Sequence, residues 1–120
     1  MPPQTRGRTL YALPMLIGCC SVLCNRCCDL FTFNVVRSLM IETDAPWCEI
    51  RPTHAGACHV KTQYEARKKE RFEPGVGVKS RNEPMRIRQV LEVLAAIRGE
   101  SEAELAATVH GNSVKLFGVA

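Results

Sequence analysis

Several common signatures are missing from this 120-residue chain. No apolar run reaches the ~20 residues that a helix needs to cross a bilayer. The candidate stretch, Leu10 to Leu23, is interrupted by Pro14 and Gly18. Cys24 and Cys27 form one C-x-x-C, but no second C-x-x-C or H-x-x-x-H stands at a zinc-site distance from it. Seven cysteines are an odd number, which excludes a fully paired disulfide framework, so the thiols read as incidental. Charge of one sign is not in great excess. The net +4 and a charged fraction of 23% are ordinary for a globular domain, and they permit an anionic partner without demanding one. The length leaves no room for a second domain.

What is present divides at about Ser38. Residues 1–37 are apolar and cysteine-rich, with Arg6 and Arg8 ahead of the apolar run. A basic start before an apolar core is the pattern of a secretory signal, yet no A-x-A-like cleavage site follows. Three readings stay open: an adventitious 5′ end joined just before Leu39, a signal or membrane-associating segment over residues 9–24, and a cysteine-rich module.

The chemically informative stretch is Leu39-Met40-Ile41-Glu42-Thr43-Asp44-Ala45-Pro46-Trp47. An apolar run flanked by punctuation reads as a buried strand. Pro46 has no N–H and ends any ladder. In parallel sheets, ligands and catalytic groups gather just past the carboxyl ends of strands. Asp44 stands at that point, and Glu42, two residues earlier, points to the same face of a strand.

Residues 47–82 form a long connection punctuated by Pro52, Gly56, Pro74, Gly75 and Gly77, with a short helix expected between Lys61 and Phe72. Between Glu49 and Arg88, ten basic and five acidic side chains leave a local charge of +5. Such a loop can solvate itself or hold phosphates. A helix is then expected from Glu83 to Arg98. Asn82 caps it, Pro84 sits in its first turn, Ile87, Val90, Leu91, Leu94 and Ile97 form an apolar stripe, and Gly99 ends it. A second helix opens at Ser101-Glu102-Ala103-Glu104, a capping box, and is expected to break at Gly111-Asn112.

The words Met40-Ile41-Glu42-Thr43-Asp44-Ala45-Pro46-Trp47-Cys48, Thr53-His54-Ala55-Gly56 and Arg81-Asn82-Glu83-Pro84 occur in order, and the chain ends on Asn112-Ser113-Val114-Lys115-Leu116-Phe117. Together they resemble the C-terminal portion of the TatD-type metal-dependent deoxyribonucleases, eukaryotic-like in wording. The resemblance covers about Ser38 to Phe117. It implies an α/β fold: a C-terminal fragment of a TIM (β/α)8 barrel, with one core strand, a long loop and two to three helices, mostly helical in this chain. A whole barrel takes ~250 residues. The expected division is therefore residues 1–37, unmatched, and residues 38–120, barrel fragment.

The resemblance also implies roles. Asp44 would be catalytic and a metal ligand. His54, Arg81, Asn82 and Glu83 would touch substrate, and Glu42 would be a supporting acid. One or two divalent metal ions, Mg²⁺ or similar, would be the cofactors, and DNA the substrate. His59 and His110 match no ligand position. The expectation is a truncated member, inactive alone, in the cytoplasm or nucleus, or in the secretory pathway if residues 9–24 act as a signal. No stable membrane partner is expected, and the core strand, lacking both neighbours, would invite association. The alternatives are a non-enzymatic nucleic-acid binder acting through the basic loop, and a secreted or membrane-associated small protein.

Overall fold

A computed structural model describes residues 15–17, for their backbone, and residues 38–118. Apart from Met15–Ile17, the signal-like stretch and the rest of residues 1–37 lie outside the described residues. Two strands, β1 (Met15–Ile17) and β2 (Leu39–Ile41), pair in parallel with Met15 opposite Leu39 and Ile17 opposite Ile41. The expectation that the core strand lacks both neighbours is thus corrected. A segment from the unmatched part of the sequence supplies one of them. A parallel pair belongs to the α/β kind of sheet rather than to a hairpin.

Successive side chains of β2 point to opposite faces, and both Leu39 and Met40 are buried. A strand covered on both faces is the mark of a parallel-sheet core. Leu39 meets the helices α1 (Ile87–Arg98) and α2 (Glu102–Phe117), whose Val90, Val93, Leu94, Ala95, Leu105 and Val109 complete the core. Each such aliphatic side chain taken from water contributes about 1.5–3 kcal/mol before chain entropy is counted.

Helix α1 differs from the expected helix in three respects. Its first turn, Pro84–Arg86, is 3-10 rather than α, and Asn82 does not cap it; Glu83 and Arg86 hold the flanking positions without side-chain caps. Its C-terminus is as expected: Gly99 is left-handed, and its N–H and that of Glu100 return to the Ala96 and Ala95 carbonyls. Its buried surface is wider than the apolar stripe. Gln89 and Glu92 are buried too, and they hold the chain at Thr62. Gln89 donates from Nε2 to the Thr62 carbonyl at 2.9 Å. Glu92 Oε2 accepts from the Lys61 and Thr62 amides at 2.8 and 3.0 Å, and Oε1 accepts from the Thr62 hydroxyl.

Helix α2 starts at Ser101, but the capping box does not form. Ser101 makes no side-chain cap, and only its carbonyl receives the Leu105 amide, at 3.0 Å. Nor does the helix break at Gly111-Asn112. It runs on to Phe117 and ends on left-handed Gly118. Asn112 reaches across instead, its Nδ2 donating to the Leu39 carbonyl of β2 at 2.8 Å. No helix among the described residues is long and apolar enough to cross a membrane.

The long connection holds 3-10 turns at Ala55–His59 and Lys69–Arg71. It also holds a second parallel pair, β3 (Ala66–Arg67) with β4 (Gly77–Val78). The short helix expected between Lys61 and Phe72 is reduced to that second turn. Cys58 is an exposed free thiol, whereas Cys48 is disulfide-bonded, which corrects the reading of every thiol as incidental.

Candidate functional site

The chain leaving β2 turns sharply. The Trp47 amide donates to the Asp44 carbonyl at 2.8 Å, and the Ala45 amide donates to Thr43 Oγ1 at 3.2 Å. Asp44 sits in the left-handed region at φ 57°, where Asp and Asn are tolerated better than other L-residues. The Ala45–Pro46 bond is cis. The Asp44 side chain is exposed, and no described residue hydrogen-bonds or ion-pairs with it. It is a hard oxygen donor facing solvent at the end of a buried strand.

What holds this turn is Asn82. Its side chain is buried, and its Nδ2 donates to the Thr43 carbonyl at 2.7 Å and to the Trp47 carbonyl at 2.8 Å. Its backbone amide donates to the Pro46 carbonyl at 3.0 Å, and its Oδ1 accepts the Glu83 amide at 3.0 Å. Both amide protons and the oxygen are therefore engaged within the chain. Only a carboxamide can donate twice and accept once here; a carboxylate would set its charge against two carbonyl oxygens. The sequence marks Asn82 as a helix cap and a substrate contact. In the fold it caps no helix, and it braces the Asp44 turn.

Arg81 is exposed, and its amide closes a turn on the Val78 carbonyl at 3.1 Å. Glu83 is half-buried beside Asn82, and its carbonyl accepts the Arg86 amide at 3.0 Å. The structure thus brings the Asp44 turn and the Arg81–Glu83 segment together through Asn82. His54 belongs to the next turn. Its Nδ1 accepts the Arg51 amide at 3.0 Å, which assigns the proton of the neutral ring to Nε2. Its carbonyl accepts the Ala57 amide at 3.0 Å.

Beyond the expected residues, a second polar group lies between the loop and α1. Arg86 stacks on the Tyr64 ring at 5.9 Å, lies 3.8 Å from Glu49, and leaves its buried Nε without a hydrogen bond. With Arg51, Gln63 and Gln89 it lines a cavity of about 240 Å³. Nothing in the sequence pattern marks Arg86, because its partners lie far away along the chain.

Glu92 is the described acid whose affinity for protons is most clearly set by its surroundings. Burial pushes its pKa up, but the Thr62 hydroxyl, the Thr62 and Lys61 amides and Arg88 outweigh burial and hold it below the usual glutamate range. Lys61 moves the other way, raised by its hydrogen bond and ion pair with Glu102.

A sequence model of a known family, described as TatD related DNase, matches residues 8–118. The chain belongs to the TatD related DNase family. The match begins at residue 8, well inside the part of the sequence that carries none of the family words. A deoxyribonuclease Tat-D of Schizosaccharomyces pombe is 42% identical over 84 residues, which are 68% of this chain and 27% of that protein. A crystal structure of a TatD family hydrolase from Entamoeba histolytica superposes with a TM-score of 0.79 at 27% identity, covering 84% of this chain and 34% of that one. An uncharacterized amidohydrolase from Saccharomyces cerevisiae gives a TM-score of 0.78 at 26% identity, covering 85% and 33%. The chain therefore spans about a quarter to a third of the length of these proteins. Its parallel β1–β2 pair under α1 and α2 fits a fragment of the TIM-barrel hydrolase fold of TatD proteins.

Proposed function

We propose that this chain carries one element of a metal-dependent deoxyribonuclease site, with Asp44 as a metal ligand and catalytic carboxylate. The observation that carries the reading is the Asp44 turn itself. An unpaired, exposed carboxylate stands past the end of a buried parallel strand, fixed by a buried asparagine. The family and the name of the S. pombe relative support DNA as the substrate class.

The donor set fits one share of a metal site. Carboxylate oxygens suit a hard cation such as Mg²⁺. Yet among the described residues no group of three or more His, Cys, Asp or Glu side chains is placed to hold a metal ion, and catalytic sites use about three protein ligands. A bound divalent cation supplies Lewis acidity toward the phosphoryl group and makes water more acidic. In hydrolysis, a water oxygen bonds to phosphorus, a P–O bond to a sugar oxygen breaks, and one proton passes to the leaving oxygen. Asp44 is placed to orient that water and take its proton. Asn82 acts by position, holding the turn. His54, through Nε2–H, and Arg81, exposed and cationic, are the groups offered to substrate phosphate, and Glu83 lines the same edge. The same reading makes the 120-residue chain inactive alone.

Paramagnetic Mn²⁺, titrated into the purified chain and read by NMR line broadening, tests the assignment. Broadening centred on residues 43–48 and abolished by Asp44→Asn is expected, without cleavage of a labelled DNA duplex. Cleavage that survives Asp44→Asn, or broadening centred elsewhere, refutes it.

A further inference from the structure

We propose that the cradle formed by Arg67, Lys68, Arg71 and Lys79 is a binding site for the phosphodiester backbone of DNA. The choice of polyanion rests on the deoxyribonuclease reading above. Two local devices assemble the cradle. The Lys79 amide donates to the Arg67 carbonyl at 2.9 Å, which joins the ends of β3 and β4. The Arg71 amide donates to the Lys68 carbonyl at 2.8 Å, which folds that turn back. Four cations from two segments then surround an open cavity of about 370 Å³ whose lining includes no carboxylate and only one apolar residue, Ala66.

Two nearby acids are committed to Arg67. Glu65, at 3.2 Å, and Glu73 both grip the Arg67 guanidinium and fix that wall. Lys68, Arg71 and Lys79 have no ion-pair partner among the described residues, and each is exposed. These three cations, held together beside the paired Arg67, raise the local potential, and a polyanion relieves that repulsion while releasing its own counterions. With four of its five lining residues cationic, the cleft suits an anion. The openness of the cleft suits a strand running through it better than an enclosed small anion. Residues following a barrel strand lie on the face where such a strand would be cut.

The test uses the full chain in EDTA, a short fluorescein-labelled duplex and anisotropy over a salt series. A Lys68→Gln/Lys79→Gln double variant is compared with Lys69→Gln/Lys115→Gln, which removes the same charge outside the cradle. The cradle variant should bind roughly ten-fold more weakly at low salt, and its slope of log K against log salt should fall by about 2, near 0.9 per lost phosphate contact. The control pair should stay close to wild type. Lys79→Glu alone should weaken binding further than Lys79→Gln, with unchanged circular dichroism in both. Equal losses in the two double variants, no loss in either, or no binding by the wild type overturns the proposal. So does displacement of the duplex by inorganic phosphate as readily as by a polyphosphate chain. A failed Mn²⁺ assignment at Asp44 with the cradle result intact removes the hydrolase reading alone; the reverse removes the cradle alone.

Discussion

At the residue scale, two buried polar side chains carry much of what is specific here. Asn82 holds the Asp44 turn through two carbonyls that no other described group is seen to satisfy. Asn82→Ala removes their described hydrogen-bond donor and should cost about 1–3 kcal/mol in urea denaturation, and Asn82→Asp should cost more. Asp44→Asn keeps a residue suited to the left-handed region, and should change stability by no more than about 0.5 kcal/mol, as for an ordinary surface site. Glu92 gives a pH signature. Its folded pKa lies below the unfolded value, so the native state holds its proton less tightly than the unfolded chain does. That stabilisation is complete above the unfolded glutamate range, about pH 4.3, and disappears as pH falls through the depressed folded value. Glu92→Gln should be less stable than wild type at neutral pH by about 1.5–3 kcal/mol, the worth of hydrogen bonds to a charged group. Thermal melts should show that gap narrowing on acidification. A gap independent of pH contradicts the assignment.

At the scale of elements, α1 serves two surfaces. One is the apolar face against β2 and α2, and Leu94 lies at its centre, fully buried. Leu94→Ala should cost about 2–5 kcal/mol, measured by the same denaturation. The other surface is polar, Gln89 and Glu92 against residues 61–62, and in sequence it has the look of a solvated flank. Helix α2 offers a test of the opposite sign. Gly111 lies mid-helix with open space where a Cβ would stand, so Gly111→Ala should stabilise by about 0.5–1 kcal/mol. The same change at Gly99, held at φ +65°, should destabilise.

At the scale of the whole molecule, the described core is open on one side. Ile41, Ile87, Leu91, Ala106 and Val109 line an apolar groove of about 440 Å³, with Arg88, His110 and Ser113 also along it. Accessible apolar surface of this kind binds hydrophobic dyes and favours association. The chain should enhance ANS fluorescence at neutral pH, and Leu91→Glu should lower that enhancement while leaving the helical circular dichroism intact. An unchanged dye signal would show that the groove is filled.

Residue order alone is enough to read the family, the buried strand with an aspartate just past its end, and the two helices that follow. Those are local facts, written in word order, in hydrophobic period and in the proline and glycine punctuation. What the polar residues do is settled only by folding. Asn82 reads as a helix cap because a cap and a loop brace use the same amide, and only the fold brings Thr43 and Trp47 to it. Gly111-Asn112 reads as a break, yet propensity is weak against packing, and Asn112 finds its acceptor on β2, 73 residues away. The partner strand β1 is illegible in sequence because three residues carry almost no pattern, and pairing at that separation depends on three-dimensional register rather than on any local preference.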